Sequence, residues 1–284
     1  MEWISNSHIM IVGLGLMGGS YARILKRLGF HVDAIDVNGE SIAYALNNHI
    51  IDRGFTTADP AALGEADAVI FALYPAVFRR WIEENQSLLK SGALLTDVTG
   101  VKSCIVYDIQ RLLRRDVEFI AAHPMAGREV YGVENSREDL FRDANYIVVP
   151  TSANTPRAIE WCKQLGQILG FAHVSTLTPE EHDKMIGFLS QLTHCIAVSL
   201  MTCSDNRHLV DYTGNSFRDL TRIASINDAM WSELFLLNKE PLLEQMDLFL
   251  QEFTALRDLL AAEDVAKLRE KMRLSTRRRA YFDR

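Results

Sequence analysis

With 284 residues, 48% of them hydrophobic and 24% charged, the chain is long enough to bury a full core and to divide into two domains. Its formal net charge of −7 and isoelectric point near 5.6 argue against nucleic acid or an anionic membrane surface as a partner. The longest apolar stretch, 66–78, is broken by Asp67 and Pro75 and falls short of the roughly 18 residues of a membrane span.

The first residues lack the basic-then-apolar order of a secretory signal. The four cysteines, Cys104, Cys162, Cys195 and Cys203, are scattered without disulfide or zinc spacing. A reducing, cytoplasmic location and no metal are therefore expected.

The chain is organised around His8-Ile9-Met10-Ile11-Val12-Gly13-Leu14-Gly15-Leu16-Met17-Gly18-Gly19-Ser20. An apolar, β-branched run leads directly into Gly-x-Gly-x-x-Gly, and residues 21–28 have helical spacing, which gives strand, tight turn, helix. Gly13 allows the reversal, Gly15 lets the backbone approach a pyrophosphate, and Gly18 lets the helix pack close to the strand. Leu14, Leu16 and Met17 lie on the same turn, where the unpaired amides of the helix start face the phosphates. A second strand, 30–35, ends at Asp36, about 20 residues past the glycines, where a carboxylate accepts from an adenosine ribose. Val37, Asn38 and Gly39 follow it and offer no cation for a 2′-phosphate, so NAD is expected over NADP.

Short apolar runs continue to alternate with helical periods. Strands are expected at 69–73, 93–96 and 119–122, with helices at 76–90 and 103–115 between and around them. This order predicts a Rossmann-type, doubly wound, mainly parallel sheet, with ligands beyond the carboxyl ends of its strands. Tyr74-Pro75, Asp97 with Thr99, and His123-Pro124 are thereby expected to converge on the crevice of the glycine turn. Strands at 145–149 and 172–177, with a helix at 156–169 between them, are expected to complete the same sheet.

Strand pattern ends there. Thr178-Pro179 marks a helix start, and helices are expected at 180–203, 217–226, 228–237 and 238–260, the last capped by Asn238. Leu242, Met246, Phe249, Leu250, Phe253, Leu256 and Leu260 form a stripe of core type that also suits packing against a second copy. The expected division is 1–177, dinucleotide-binding, and 178–284, an all-helical substrate and dimerisation domain. Arg277-Arg278-Arg279 reads as the complement of a helix dipole.

Three places can carry chemistry. His123, at a strand end and fixed by Pro124, suits the removal of a hydroxyl proton while hydride leaves the same carbon, because an unperturbed imidazole titrates near 6.5. A half-buried histidine bonded to a loop carbonyl fits the same position. His182, Ser190 and His194 share one helical segment at spacings that can turn them the same way. His182 is equally a solvent-facing residue among Glu180, Glu181 and Asp183, whereas His194, between Leu192 and Ile196, needs a polar reason to be buried. In Phe217-Arg218-Asp219-Leu220-Thr221-Arg222, a guanidinium can grip a carboxylate through two parallel hydrogen bonds, or the charges form a solvated face.

The residues together resemble the prephenate/arogenate dehydrogenases of tyrosine biosynthesis. The likeness rests on the glycine turn, Asp36, Asp97 with Val101-Lys102, His123-Pro124-Met125-Ala126-Gly127 with Glu129, Glu181-His182-Asp183 followed by Ser190 and His194, and Phe217-Arg218-Asp219 with Arg222-Ile223-Ala224. It runs end to end. It implies NAD-dependent oxidative decarboxylation of prephenate or arogenate and a homodimer built through the helical domain. By the same resemblance His123 is the catalytic histidine and Arg218 the substrate-carboxylate arginine. His194 is a second pocket histidine, Glu129 an acidic group near the entrance, and Trp231 a pocket tryptophan.

Two positions depart from the family pattern. Gly100 stands where a serine that contacts histidine and substrate is common, leaving Thr99 to offer a hydroxyl, and Gln191 stands where a histidine is common. Two other readings remain open: a 3-hydroxyacid-type dehydrogenase, which relies on a lysine after the domain junction such as Lys184, and a dinucleotide-binding protein without turnover.

Overall fold

The computed structural model of the chain describes residues 7–128, 130–205 and 207–283. β1 (His8–Val12) sits inside the sheet, and its side chains alternate between two buried layers, Ile9 and Ile11 entering one, Met10 and Val12 the other. A strand buried on both faces is apolar throughout, which is why it reads so plainly in the sequence.

The sheet runs β3 (Arg53–Phe55), β2 (His31–Ile35), β1, β4 (Ala68–Phe71), β5 (Leu94–Asp97), β6 (Glu118–Phe119), all parallel. The order reverses between β1 and β4, the switch point beyond whose carboxyl ends such sheets bind ligands. α1 (Leu16–Arg27) and α6 (Pro156–Ile168) pack on the Ile9 face. α3 (Pro60–Glu65), α4 (Pro75–Asn85) and α5 (Ser103–Leu112) cover the Met10 face. α2 (Gly39–Asn47) follows β2, its start capped by the Asn38 side chain.

The expected single sheet is corrected in one respect. Residues 145–149 and 172–177 do not join it. They form β8 (Asn145–Val149) and β9 (His173–Thr176) of a three-stranded sheet with β7 (Ala121–Met125), in which β8 runs antiparallel to β7. The cause lies at the β6–β7 junction. Ile120 N still donates to Leu95 O at 2.9 Å, but Ala122 N donates to the side chain of Asp97 at 3.1 Å. The ladder to β5 thus ends on a carboxylate, and β7 pairs along its other edge.

No strand occurs after Thr176 among the described residues. Thr178 and Glu181 form a reciprocal capping box at the start of α7 (Pro179–Ile186). The expected helix 180–203 is interrupted, because Gly187–Gln191 is a π-helical turn before α8 (Leu192–Thr202). The extra residue of such a turn rotates everything beyond it about the helix axis. By length and composition alone the run Pro179–Thr202 is long and apolar enough to cross a bilayer, which was expected of no segment. Within it, His182 and Asp183 are buried and hydrogen-bonded to the sheet half.

α9 (Asn215–Thr221), α10 (Asp228–Leu237), α11 (Lys239–Ala261) and α12 (Val265–Arg279) complete the helical half. Arg277, Arg278 and Arg279 occupy the last turn of α12. Asn238 precedes α11 without capping it. Its amide instead donates to the carbonyl of Asp183 and to Gln191 Oε1, tying α10–α11 to α7. Along α11 only Leu242 of the apolar stripe is buried, while Leu250, Phe253 and Leu260 are more than half exposed.

Candidate active site

The glycine turn is built by close approach. Gly13 has φ +98°, and a Cβ there would lie 2.4 Å from the Ala72 carbonyl oxygen; a Cβ on Gly18 would lie 1.9 Å from that of Gly13. At Gly15 the approach is open, with nothing within 4 Å, and no side chain caps α1 there. Leu14 and Leu16 are buried beneath the turn and Met17 packs against the same core.

Asp36 folds back onto the turn. One carboxylate oxygen accepts from Leu14 N at 2.6 Å, the other from Asn38 N at 2.8 Å. Tyr74, nearly half exposed, precedes α4, and Pro75 begins it. The next amide, Ala76 N, donates to Glu233 Oε1 of α10 at 3.0 Å, so the helical half reaches the rim of the crevice. An open phosphate approach, an uncapped helix start and a carboxylate at the end of β2 together fit a dinucleotide.

Asp97 and Thr99 are not part of that lining. Asp97 is 1% exposed, and it accepts from Lys102 Nζ at 2.7 Å, from Thr99 N at 3.0 Å, from Ala122 N, and from the Thr99 hydroxyl. Lys102, itself fully buried, also donates to Thr99 Oγ1 at 3.1 Å and to Ala122 O at 2.6 Å. The expected cofactor contact of Asp97 and substrate contact of Thr99 are thus replaced by a buried ion pair that clamps the residue before His123. Lys102 is a functional residue that sequence reasoning alone leaves without a role. Its signal was the spacing to Asp97, which lets one short loop close an ion pair.

His123 lies in the middle of β7 and not at its end. Its Nδ1 is 2.9 Å from His182 Nε2, and His182 Nδ1 is 2.8 Å from Asp183 Oδ1. Burial holds His123 well below the ordinary histidine pKa, and its neighbours His182 and Lys102 push the same way. Burial also lowers His182, against the opposing hydrogen bond from Asp183. Both rings are neutral near pH 7.

The expectation that His182 contacts substrate is corrected, because the residue is fully buried and both its ring nitrogens are engaged. The π-turn separates it from His194, which stacks on Trp231 of α10 with ring centroids 3.7 Å apart. His194 Nδ1 bonds the Ser190 carbonyl at 2.9 Å, so Ser190 serves it through its backbone. Leu234, one turn after Trp231, faces Gly100: a Cβ there would be 3.7 Å from Leu234 and 3.9 Å from His123 Nε2. His123, Gly100, Leu234, Trp231 and His194 therefore form a chain of neighbours that joins the two halves.

Arg218 stands exposed on α9, which packs against α8. Among the described residues no hydrogen bond or ion pair holds its guanidinium, and none joins it to His123. Glu129 lies outside the described residues. Lys184, which the 3-hydroxyacid reading requires for its chemistry, is exposed and its ammonium is paired with Glu244 at 3.1 Å. His8, His31 and Asp33 bring metal-type ligand atoms within 4.8 Å of one another, where no metal was expected. Two nitrogens of Arg53 already hold Asp33 there, at 2.7 and 2.9 Å.

Residues 21–175 match the model of the prephenate dehydrogenase nucleotide-binding domain, and residues 178–274 that of the prephenate dehydrogenase dimerization domain. The chain belongs to the prephenate dehydrogenase family. It is 33% identical over 270 residues to the prephenate dehydrogenase of Bacillus subtilis, covering 92% of this chain and 72% of that one. It is 26% identical to the cyclohexadienyl dehydrogenase of Zymomonas mobilis, covering 96% and 94%. Its fold superposes with a TM-score of 0.90 and 31% identity on the A. aeolicus prephenate dehydrogenase solved with hydroxyphenyl propionate and NAD+, over 99% of this chain and 100% of that one. A family member with this chemistry-bearing crevice is an oxidoreductase.

Proposed function

We propose that the protein oxidises and decarboxylates a cyclohexadienol bearing a ring carboxylate, prephenate or arogenate, with NAD as acceptor, in tyrosine biosynthesis. The observation that carries this is His123, neutral, held through Nδ1, with Nε2 beside Gly100, which carries no side chain. When bound, NAD supplies the hydride acceptor. The turn from Gly13 to Gly18 would hold its pyrophosphate, approached at Gly15, and Asp36 its ribose. His123 Nε2 takes the proton of the ring hydroxyl, so the carbon loses hydride as it becomes a carbonyl. Loss of the ring carboxylate as CO2 then yields an aromatic ring, which makes the step irreversible.

His194, set against Trp231, and Arg218 are read as substrate-holding groups, the arginine taking the side-chain carboxylate once the halves close. Residues 1–177 are read as the dinucleotide-binding domain and 178–284 as the substrate and dimerisation domain. The exposed Leu250, Phe253 and Leu260 of α11 fit a second copy of the chain as their cover. Four free thiols fit a reducing cytoplasm. The test is NADH formation measured with prephenate and with arogenate in parallel, together with CO2 release. Turnover of at least one substrate is expected, and no turnover of either refutes the reading.

A further inference from the structure

We infer that Asp183 and His182 are positioning residues that fix the tautomer of His123, so that its lone pair stands on Nε2, towards the crevice. The inference deepens the reading of His123 as proton acceptor and rests on it.

The chain of donors and acceptors admits one assignment. Asp183 accepts on Oδ1 from Lys102 N at 2.8 Å and on Oδ2 from Ser103 N at 2.7 Å, which makes it the anionic cap of α5. Burial raises its pKa, but the bonds from His182 and the Ser103 amide outweigh that and hold it below the ordinary carboxylate range. An ionised carboxylate only accepts, so His182 Nδ1 carries the hydrogen it donates. A neutral His182 then has a bare Nε2, and the sole way to fill the 2.9 Å contact is for His123 Nδ1 to donate to it. His123 Nε2 is left without a proton.

The three groups come from two elements of different halves. β7 supplies His123, and α7 supplies both His182 and Asp183, locked by the amides at the start of α5. The base is therefore aimed only when α7 is seated on the sheet half. When the substrate hydroxyl gives up its proton, the O–H bond breaks and an Nε2–H bond forms, which leaves His123 a cation. That charge is met through the existing Nδ1–H bond to His182 and by the Asp183 carboxylate behind it, and no proton need reach Asp183. The nearer ammonium of Lys102 is neutralised by Asp97. Gly100 matters here too, since a side chain at that position would begin 3.9 Å from the bare nitrogen.

The test combines kinetics with ring nitrogen spectra of the 15N-histidine-labelled protein. The wild type should show a non-protonated Nε2 and a protonated Nδ1 on His123. His182→Leu should lower kcat on the order of 100-fold, with KM for substrate and the affinity for NAD unchanged. His182→Gln, whose amide oxygen can still accept from Nδ1, should recover much of that loss. A His182→Leu enzyme that keeps its kcat, or loses only in KM, overturns the relay, as does a wild-type spectrum with the proton on Nε2. A wild type that reduces no NAD with either substrate overturns the underlying assignment instead, and the ring spectrum still decides the tautomer.

Discussion

Replacing Lys102 with Met removes the cation of a pair whose two side chains are both completely buried. The Asp97 carboxylate would keep three donors, Thr99 N, the Thr99 hydroxyl and Ala122 N, while Ala122 O would lose the bond it accepts from Nζ. Breaking a buried pair by deleting one partner costs about 3–5 kcal/mol, because the other charge stays in a low dielectric. The surviving donors pull the carboxylate's share down, and the orphaned carbonyl adds about 1 kcal/mol or more. The expected destabilisation is thus about 4 kcal/mol. Equilibrium urea unfolding, followed by circular dichroism, measures it as a fall in midpoint at constant slope. Asp97→Asn combined with Lys102→Met should recover about half, since the double variant buries no net charge. A single variant within about 1 kcal/mol of the wild type, or a strictly additive cycle, would refute the view that this pair clamps β7 beneath His123.

Other expectations follow from the crevice. Since burial, His182 and Lys102 keep His123 neutral to well below the usual histidine range, the base is in its working form throughout neutral pH. The acid limb of kcat/KM should therefore have its midpoint below 6.5, and a midpoint at or above that value contradicts the burial argument. Asp36→Ser should relax the preference for NAD over NADP in competitive binding, and, because Leu14 N loses its acceptor, weaken both dinucleotides; an unaltered ratio removes the ribose role. Arg218→Ala should raise the substrate KM about 10-fold or more with little change in kcat, as expected for the loss of one charge-assisted carboxylate contact. An unchanged KM would shift that role to another cation.

What the sequence made legible follows from burial. β1, β4 and β5 are covered on both faces, so they read as apolar runs, and the glycine turn has a spacing that few other structures require. β3 was not legible, since Arg53-Gly54-Phe55 is a three-residue edge strand with no apolar run. The break that sends β7 to β8 is hidden as well, because it depends on Asp97 intercepting Ala122 N from a distant part of the chain. The π-turn at Gly187–Gln191 has the same composition as the helix around it, so helical spacing set His182, Ser190 and His194 on one face when only two of them stay near each other. Asp183 looked like one more solvated acid beside Glu180 and Glu181. Its meaning came from two amides of α5, a tertiary contact that no local pattern encodes. The family resemblance placed His123 and Arg218 as residues but not the network that holds the first, nor the exposure of the second.

The most direct test of the central claim compares the wild type with His123→Asn in one stopped assay of NADH and CO2 from prephenate, with NAD affinity measured by calorimetry on both. The account predicts a loss in kcat of about 100- to 10,000-fold, the range of a general base, with NAD binding intact. A variant that turns over at close to the wild-type rate would contradict it.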